Sequence, residues 1–233
     1  MLKAGARMTS EARNKTCENV IRYDGFEYVC YEKINFIVVM ALILFVMFIF
    51  LTVAGNMLVI LAILRDRRLR TPSTYLILSL AVTDLIVGLV TVPIRAFSEI
   101  KDYGTWPYGK ISCDVRVVID KLCVYASLLH LVAIALDRYL TVSSLRYSLT
   151  RSGKQIFYMV SVAWSLSFGL AAAPMFGWRD SGFDRRISQG SCFVNTLFSL
   201  NLTVWLVIFV IPVISILILY YRIYLVSVKW ENH

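Results

Sequence analysis

Charge and histidine are what this sequence has least of. Of its 233 residues only 17% are charged and only 2 are histidine, where a soluble domain carries about a quarter charged residues. His130 and His233 are too few and too scattered for a metal-ligand cluster. No glycine loop that would cradle a phosphate and no nucleophile–base pair is present, which leaves little support for an enzyme or a transporter. A cleavable signal sequence is also lacking, because the first 33 residues are polar. The first apolar segment is therefore expected to direct insertion itself.

What is abundant is hydrocarbon. Hydrophobic residues make up 58% of the chain and the mean hydropathy is +0.69. They fall in five blocks, 34–64, 74–97, 111–142, 156–178 and 197–226. Each reaches the roughly 20 residues that a helix needs to cross a bilayer. The expected fold is all-α: one multi-pass transmembrane helical bundle in lipid, since irregular backbone cannot face hydrocarbon. Residues 1–33 then form an N-terminal tail, 34–226 the spans, and 227–233 a short end.

The net charge of +9 does not point to nucleic acid, because the bases cluster at span borders instead of along an exposed stripe. Arg65, Arg67, Arg68 and Arg70 follow the first span, Arg138, Arg146, Arg151 and Lys154 surround the turn-back after the third, and Arg222 and Lys229 close the fifth. The positive-inside rule puts the N-terminus outside and the C-terminus in the cytosol. Arg95, Lys101, Lys110 and Arg116 blur that bias. Asn14-Lys15-Thr16 is a glycosylation sequon in the outside tail, fitting that orientation.

Five cysteines make an odd count. Cys113 opens the third span at the outer face and Cys192 lies in the outer loop before the fifth. Both face an oxidising compartment, so a bond between them is chemically reasonable and would tie the 179–191 loop over the bundle mouth. Cys17 and Cys30 either pair in the tail or stay as two thiols. Cys123, inside a span, reads as a small packing residue.

Polar residues within spans carry the most information, since an ionisable group there costs about 2.5–3.5 kcal/mol on insertion scales. Asn56 lies in the first span, Asp84 in the second, and Asp120, Lys121, Ser127, His130, Asp137 and Arg138 in the third. At about 100° per residue, Asp120, Ser127 and Arg138 fall within roughly 20° of one stripe, with Asp120 and Arg138 about 27 Å apart along the axis. A polar stripe of full bilayer depth marks a central helix. Plainer readings stand beside this one. Asp137-Arg138-Tyr139 can be a helix end meeting water, Asp84 a structural hydrogen bond to Asn56 or Ser127, and Asp120 a local ion pair with Lys121.

The order and spacing of these residues resemble the rhodopsin-like class of G protein-coupled receptors across all five spans. The likeness runs through Gly55-Asn56, Leu80-Ala81-Val82-Thr83-Asp84, Trp106, Cys113, Asp137-Arg138-Tyr139, Trp164, Pro212 and Tyr220. It implies a plasma-membrane receptor with Cys113 bridged to Cys192. Arg138 would meet a heterotrimeric G protein, with Asp137 restraining it at rest, Tyr139 beside it, Pro212 loosening the fifth span and Tyr220 meeting Arg138 in the active state. Asp84, Ser127 and Asn56 resemble an allosteric sodium site; no other cofactor is implied.

Asp120 stands where receptors for biogenic amines place the acid that pairs with a cationic nitrogen, with Lys121, Val124, Val204 and Ile208 at the neighbouring ligand positions. Leu145-Arg146-Tyr147-Ser148 and the 220–224 stretch look most like the muscarinic and histamine branch. Three departures count. Lys121 replaces an apolar residue, Val204 and Ile208 replace the serines that a catechol would need, and Arg95 and Arg116 near the mouth would repel a small cation. A peptide or other non-amine ligand is the alternative. The sixth and seventh helices of the family are absent from these residues, so a truncated chain is expected. It is either the N-terminal portion of a signalling receptor or a non-signalling product that associates with other receptor protomers.

Overall fold

The computed structural model describes residues 20–23, 27–30, 36–101, 106–176, 181–192 and 198–231. Asn14 and Cys17 lie outside the described residues, as does the pairing of Cys17 with Cys30. The chain divides into two compact units, Met1–Leu44 and Phe45–His233. In the first, strands β1 (Val20–Tyr23) and β2 (Glu27–Cys30) pair antiparallel, with Val20 opposite Cys30 and Tyr23 opposite Glu27. This hairpin was not expected from sequence. Its strands of four residues are too short for a clear alternation of period two.

The described helices are α1 (Phe36–Arg65), α2 (Pro72–Ile86), α3 (Val92–Lys101), α4 (Gly109–Ser143), α5 (Leu145–Thr150), α6 (Gly153–Ala172), α7 (Phe183–Ser188), α8 (Phe198–Trp205) and α9 (Ile211–Glu231). Five stretches are long and apolar enough to cross a membrane: Val39–Arg65, Pro72–Ala96, Gly109–Ser143, Gly153–Phe176 and Leu202–Lys229. They match the five apolar blocks in number and order. Large apolar side chains point outward on them; Phe50 is 69% exposed and Leu217 65%. That surface is reasonable only against lipid, where apolar exposure costs nothing and packing between helices supplies the cohesion.

Local chemistry sets the helix ends. Thr71 precedes Pro72, whose missing N–H falls where the helix needs none. Ser152 and Gln155 form a reciprocal capping box at the start of α6. The Arg70 side chain reaches back to the Ile63 and Leu64 carbonyls at the end of α1, where unpaired acceptors favour a cation.

Two π-helical turns interrupt the spans, Val87–Thr91 between α2 and α3 and Leu206–Val210 between α8 and α9. Each ends two residues before a proline, Pro93 or Pro212. A proline lacks its N–H and crowds the carbonyl four residues back, here that of Leu89 or Ile208. The wider turn relieves that crowding, with the Val92 N–H reaching the Val87 carbonyl and the Ile211 N–H reaching that of Leu206.

Helix α4 is the hub, packing against α2, α5, α6, α7, α9 and both π turns. One buried relay locks three helices together. The His130 Nδ1 lies 2.6 Å from the Ala126 carbonyl, which can only accept, so Nδ1 carries the proton and Nε2 accepts. Ser79 then donates to Nε2 over 2.8 Å, and the Trp164 indole N–H donates to Ser79 over 3.0 Å. His130 is therefore a structural residue at the junction of α2, α4 and α6.

At Gly88 in the first π turn a Cβ would meet the Val53 and Thr52 methyls of α1 at 3.1 and 3.3 Å. Overpacking of this kind costs about 1–3 kcal/mol. Gly88→Leu is expected to lower the thermal midpoint of the detergent-solubilised chain, while Gly55→Leu, with nothing within 4 Å, leaves it near the parent value.

Candidate functional site

The candidate functional residues lie along α4, where Asp120 and Asp137, and Asp84 facing it, are each met by a side chain of another element. At one end Cys113 is disulfide-bonded to Cys192, with the Cα atoms 5.7 Å apart. The bond closes a loop 79 residues long, worth about 4–5 kcal/mol in the chain-entropy account. Trp106, Cys113 and Phe183 form a small core beneath it, with Val117, Ile187 and Cys192 packed around. This core seats α7, part of the loop before Cys192, against α4. The Arg116 guanidinium lies over the Trp106 ring, 4.9 Å from its centroid. Lys110 and Asp184 pair at 2.7 Å, but both are exposed and such a pair adds little.

Two turns along α4 from Cys113, Asp120 is buried, its side chain 9% exposed. Its partner is Arg95 of α3, not Lys121. The Arg95 Nε and Nη2 donate to Asp120 Oδ2 over 2.9 and 2.8 Å. The local ion pair with Lys121 is not formed among the described residues, because successive helical side chains diverge by about 100°. Val204 of α8 and Ile208 of the second π turn are half-buried, whereas Val124 is half-exposed. A cavity of about 670 Å³ lies away from Asp120. It is an apolar groove between α4 and α6 lined by Leu129, Leu136, Tyr158 and Val162, among others.

Midway along α4, Ser127 donates to Asp84 Oδ1 over 3.1 Å. Asn56 does not join them; its amide donates to the Thr52 carbonyl on its own helix over 2.9 Å. Of the three residues expected at a sodium site, the structure brings two together. Cys123 is a free, buried thiol, as its place within a span suggested.

At the far end, Asp137 is 1% exposed and accepts from three elements. Ser73 of α2 donates over 2.6 Å, the Tyr147 hydroxyl of α5 over 2.9 Å, and Arg151 over 3.3 Å. The expected restraint of Arg138 by Asp137 is not seen: Arg138 is exposed, Tyr139 half-buried, and Asp137 faces the bundle. Pro212 is buried, and Tyr220 is exposed without a hydrogen bond to Arg138 among the described residues. Sequence reasoning missed Ser73, Tyr147 and Arg151; the basic cluster after the third span was the one available signal. Burial, then the bond to Asp137, pushes the Tyr147 phenol up from 10.0 to about 12. Its neutral, donating form therefore contributes fully below pH 10 and is lost only as the pH rises through about 12.

These features define a polytopic helical membrane protein with a disulfide at one end of its hub helix and a buried carboxylate network at the other. Residues 55–232 match the family described as 7 transmembrane receptor (rhodopsin family). The chain is 38% identical over 192 residues to a 5-hydroxytryptamine receptor 2B of Drosophila melanogaster, covering 82% of this chain and 31% of that protein. It is 41% identical over 174 residues to a 5-hydroxytryptamine receptor of Bombyx mori, covering 74% and 39%. A 5-hydroxytryptamine receptor 1B of Canis lupus familiaris is 36% identical over 223 residues, covering 94% and 54%. The chain belongs to the rhodopsin family of seven-transmembrane receptors. It spans about a third of the length of the first-named curated relatives.

Depriving a buried carboxylate of one donor costs about 1–3 kcal/mol. Tyr147→Phe and Ser73→Ala are each expected to lower the thermal midpoint in detergent. Because both donate to Asp137, the double variant should depart from the sum of the two. Strict additivity would show that the contacts do not act through one carboxylate.

Proposed function

We propose that this chain supplies the first five helices of a plasma-membrane receptor, N-terminus outside, that binds a small cationic amine at Asp120 and signals to a heterotrimeric G protein through Arg138. The observation that carries this reading is Asp120 itself, a carboxylate nearly withdrawn from solvent two turns from the Cys113–Cys192 bridge, in a chain similar to proteins named for an amine. A carboxylate in a partly dry site suits an ammonium, which arrives charged and satisfies it. Val204 and Ile208 offer no hydroxyl, which argues against a catechol.

The other end supports coupling. Asp137 is turned inward onto Ser73, Tyr147 and Arg151, leaving the Arg138 guanidinium exposed beside it. A planar, permanently charged fork at a span end is suited to hydrogen-bond acceptors on a partner protein. The Asp84–Ser127 pair offers oxygen ligands of the kind that a sodium ion takes.

In a seven-helix receptor carrying these residues, Asp120→Asn is expected to abolish the amine response in a calcium or cyclic-nucleotide assay while surface expression persists. Arg138→Ala should remove signalling and spare ligand binding. An amine that activated the Asp120→Asn receptor as well as the parent would refute the ligand assignment.

A further inference from the structure

The groove of about 670 Å³ between α4 and α6 changes character along its length. Its α4 wall runs from Leu129 to Leu140, and its α6 wall from Leu166 back to Lys154, the chain turning round between them through α5. At 1.5 Å per residue these walls are about 17 and 18 Å long. That is close to the depth of one leaflet in a hydrocarbon core about 30 Å thick. Apart from the Tyr158 hydroxyl, the walls are apolar from Leu129 to Leu140 and from Leu166 to Tyr158.

The end near α5 is polar, with Tyr147, Lys154 and Gln155. Two of these are already engaged. The Tyr147 phenol donates to Asp137, and the Gln155 side chain accepts from the Ser152 N–H. Lys154 is exposed and makes no hydrogen bond or ion pair among the described residues. Residues 138–154 hold Arg138, Arg146, Arg151 and Lys154 and no acid. Asp137, just before them, is enclosed by Ser73, Tyr147 and Arg151, and Asp66, after α1, accepts from the Arg68 N–H in its own turn. Neither pairs with Lys154.

An occupant that matches this groove has a hydrocarbon tail one leaflet long and an anion at its head. A zwitterionic headgroup brings its own ammonium to its phosphate and gains little from a lysine. A headgroup of net negative charge leaves its phosphate for the Lys154 ammonium and for the Tyr158 hydroxyl, which lies one turn along the same helix face and is 70% exposed. We propose that the groove binds an acidic phospholipid of the leaflet opposite the Cys113–Cys192 end, one acyl tail lying between α4 and α6 and its phosphate on Lys154. This site uses none of the residues assigned to the amine or to the G protein, so it stands or falls apart from that reading.

The test uses the full chain in phosphatidylcholine nanodiscs doped with one photo-crosslinking lipid. The probe is phosphatidylglycerol or phosphatidylcholine, with a diazirine at the same place in the same acyl tail, and labelled peptides are mapped by mass spectrometry. Peptides covering residues 129–140 and 156–166 are expected to take up phosphatidylglycerol about fivefold over phosphatidylcholine, the worth of one lysine beside an acidic headgroup. Lys154→Gln should bring the two probes level. Lys229→Gln, which removes a base at the end of α9, should leave the ratio unchanged. Val162→Trp, which fills the groove from α6, should reduce labelling by both. Circular dichroism and an intact Cys113–Cys192 bond check that each variant is folded. Equal labelling of the parent by both probes would reduce the groove to ordinary lipid contact and overturn the proposal. A preference that survives Lys154→Gln, or that Lys229→Gln abolishes as well, would overturn it by showing an effect of net charge alone. Labelling undiminished by Val162→Trp would put the tail outside the groove.

Discussion

A carboxylate cannot stay ionised in hydrocarbon alone, and this bundle is arranged around that constraint. Asp84, Asp120 and Asp137 occupy three depths of the fold, and each is met by a side chain from a different element. Asp84 has Ser127, Asp120 has Arg95, and Asp137 has Ser73, Tyr147 and Arg151. In a medium where lipid tails rival leucine for apolar contacts, such polar joints choose which helices associate and in what rotation. Helix α4 is central because it carries or faces all of them.

The two ends of α4 solve the problem differently. Around Asp137 the acid is enclosed on three sides, so its charge is spent on holding α2, α4, α5 and the segment before α6 together. Around Asp120 one carboxylate oxygen takes both contacts from the Arg95 guanidinium, and the acid itself stays buried. The first arrangement ties several elements together, whereas the second joins two helices through one ion pair.

Much of this was legible in the residues. Long apolar runs gave five spans because a bilayer demands continuous helical length, and the reading of Cys113 and Cys192 as facing an oxidising compartment made the bond that they form chemically reasonable. Asp84 and Ser127 met as one of the plainer readings allowed. The misses share a cause. Arg95 on Asp120, Ser73 on Asp137 and Trp164 on Ser79 depend on rotation of one helix against another, which composition and period do not encode. Asn56 stayed on its own helix because the Thr52 carbonyl one turn back satisfied its amide. The π turns could have been suspected from Pro93 and Pro212, but a proline alone does not say whether a helix bends, breaks or widens.

The widened turn at Val87–Thr91 acts as a phase shifter. It fits one extra residue into the helix, and everything beyond it is rotated by about 100° relative to an uninterrupted α-helix. Arg95 lies four residues past that turn, so its azimuth, and hence which side chain greets Asp120, is set by backbone winding as much as by the letter at position 95. A receptor with one residue fewer in that segment would turn a different neighbour towards the acid. A single deleted residue in that segment would therefore change the partner of Asp120 with every other side chain unchanged.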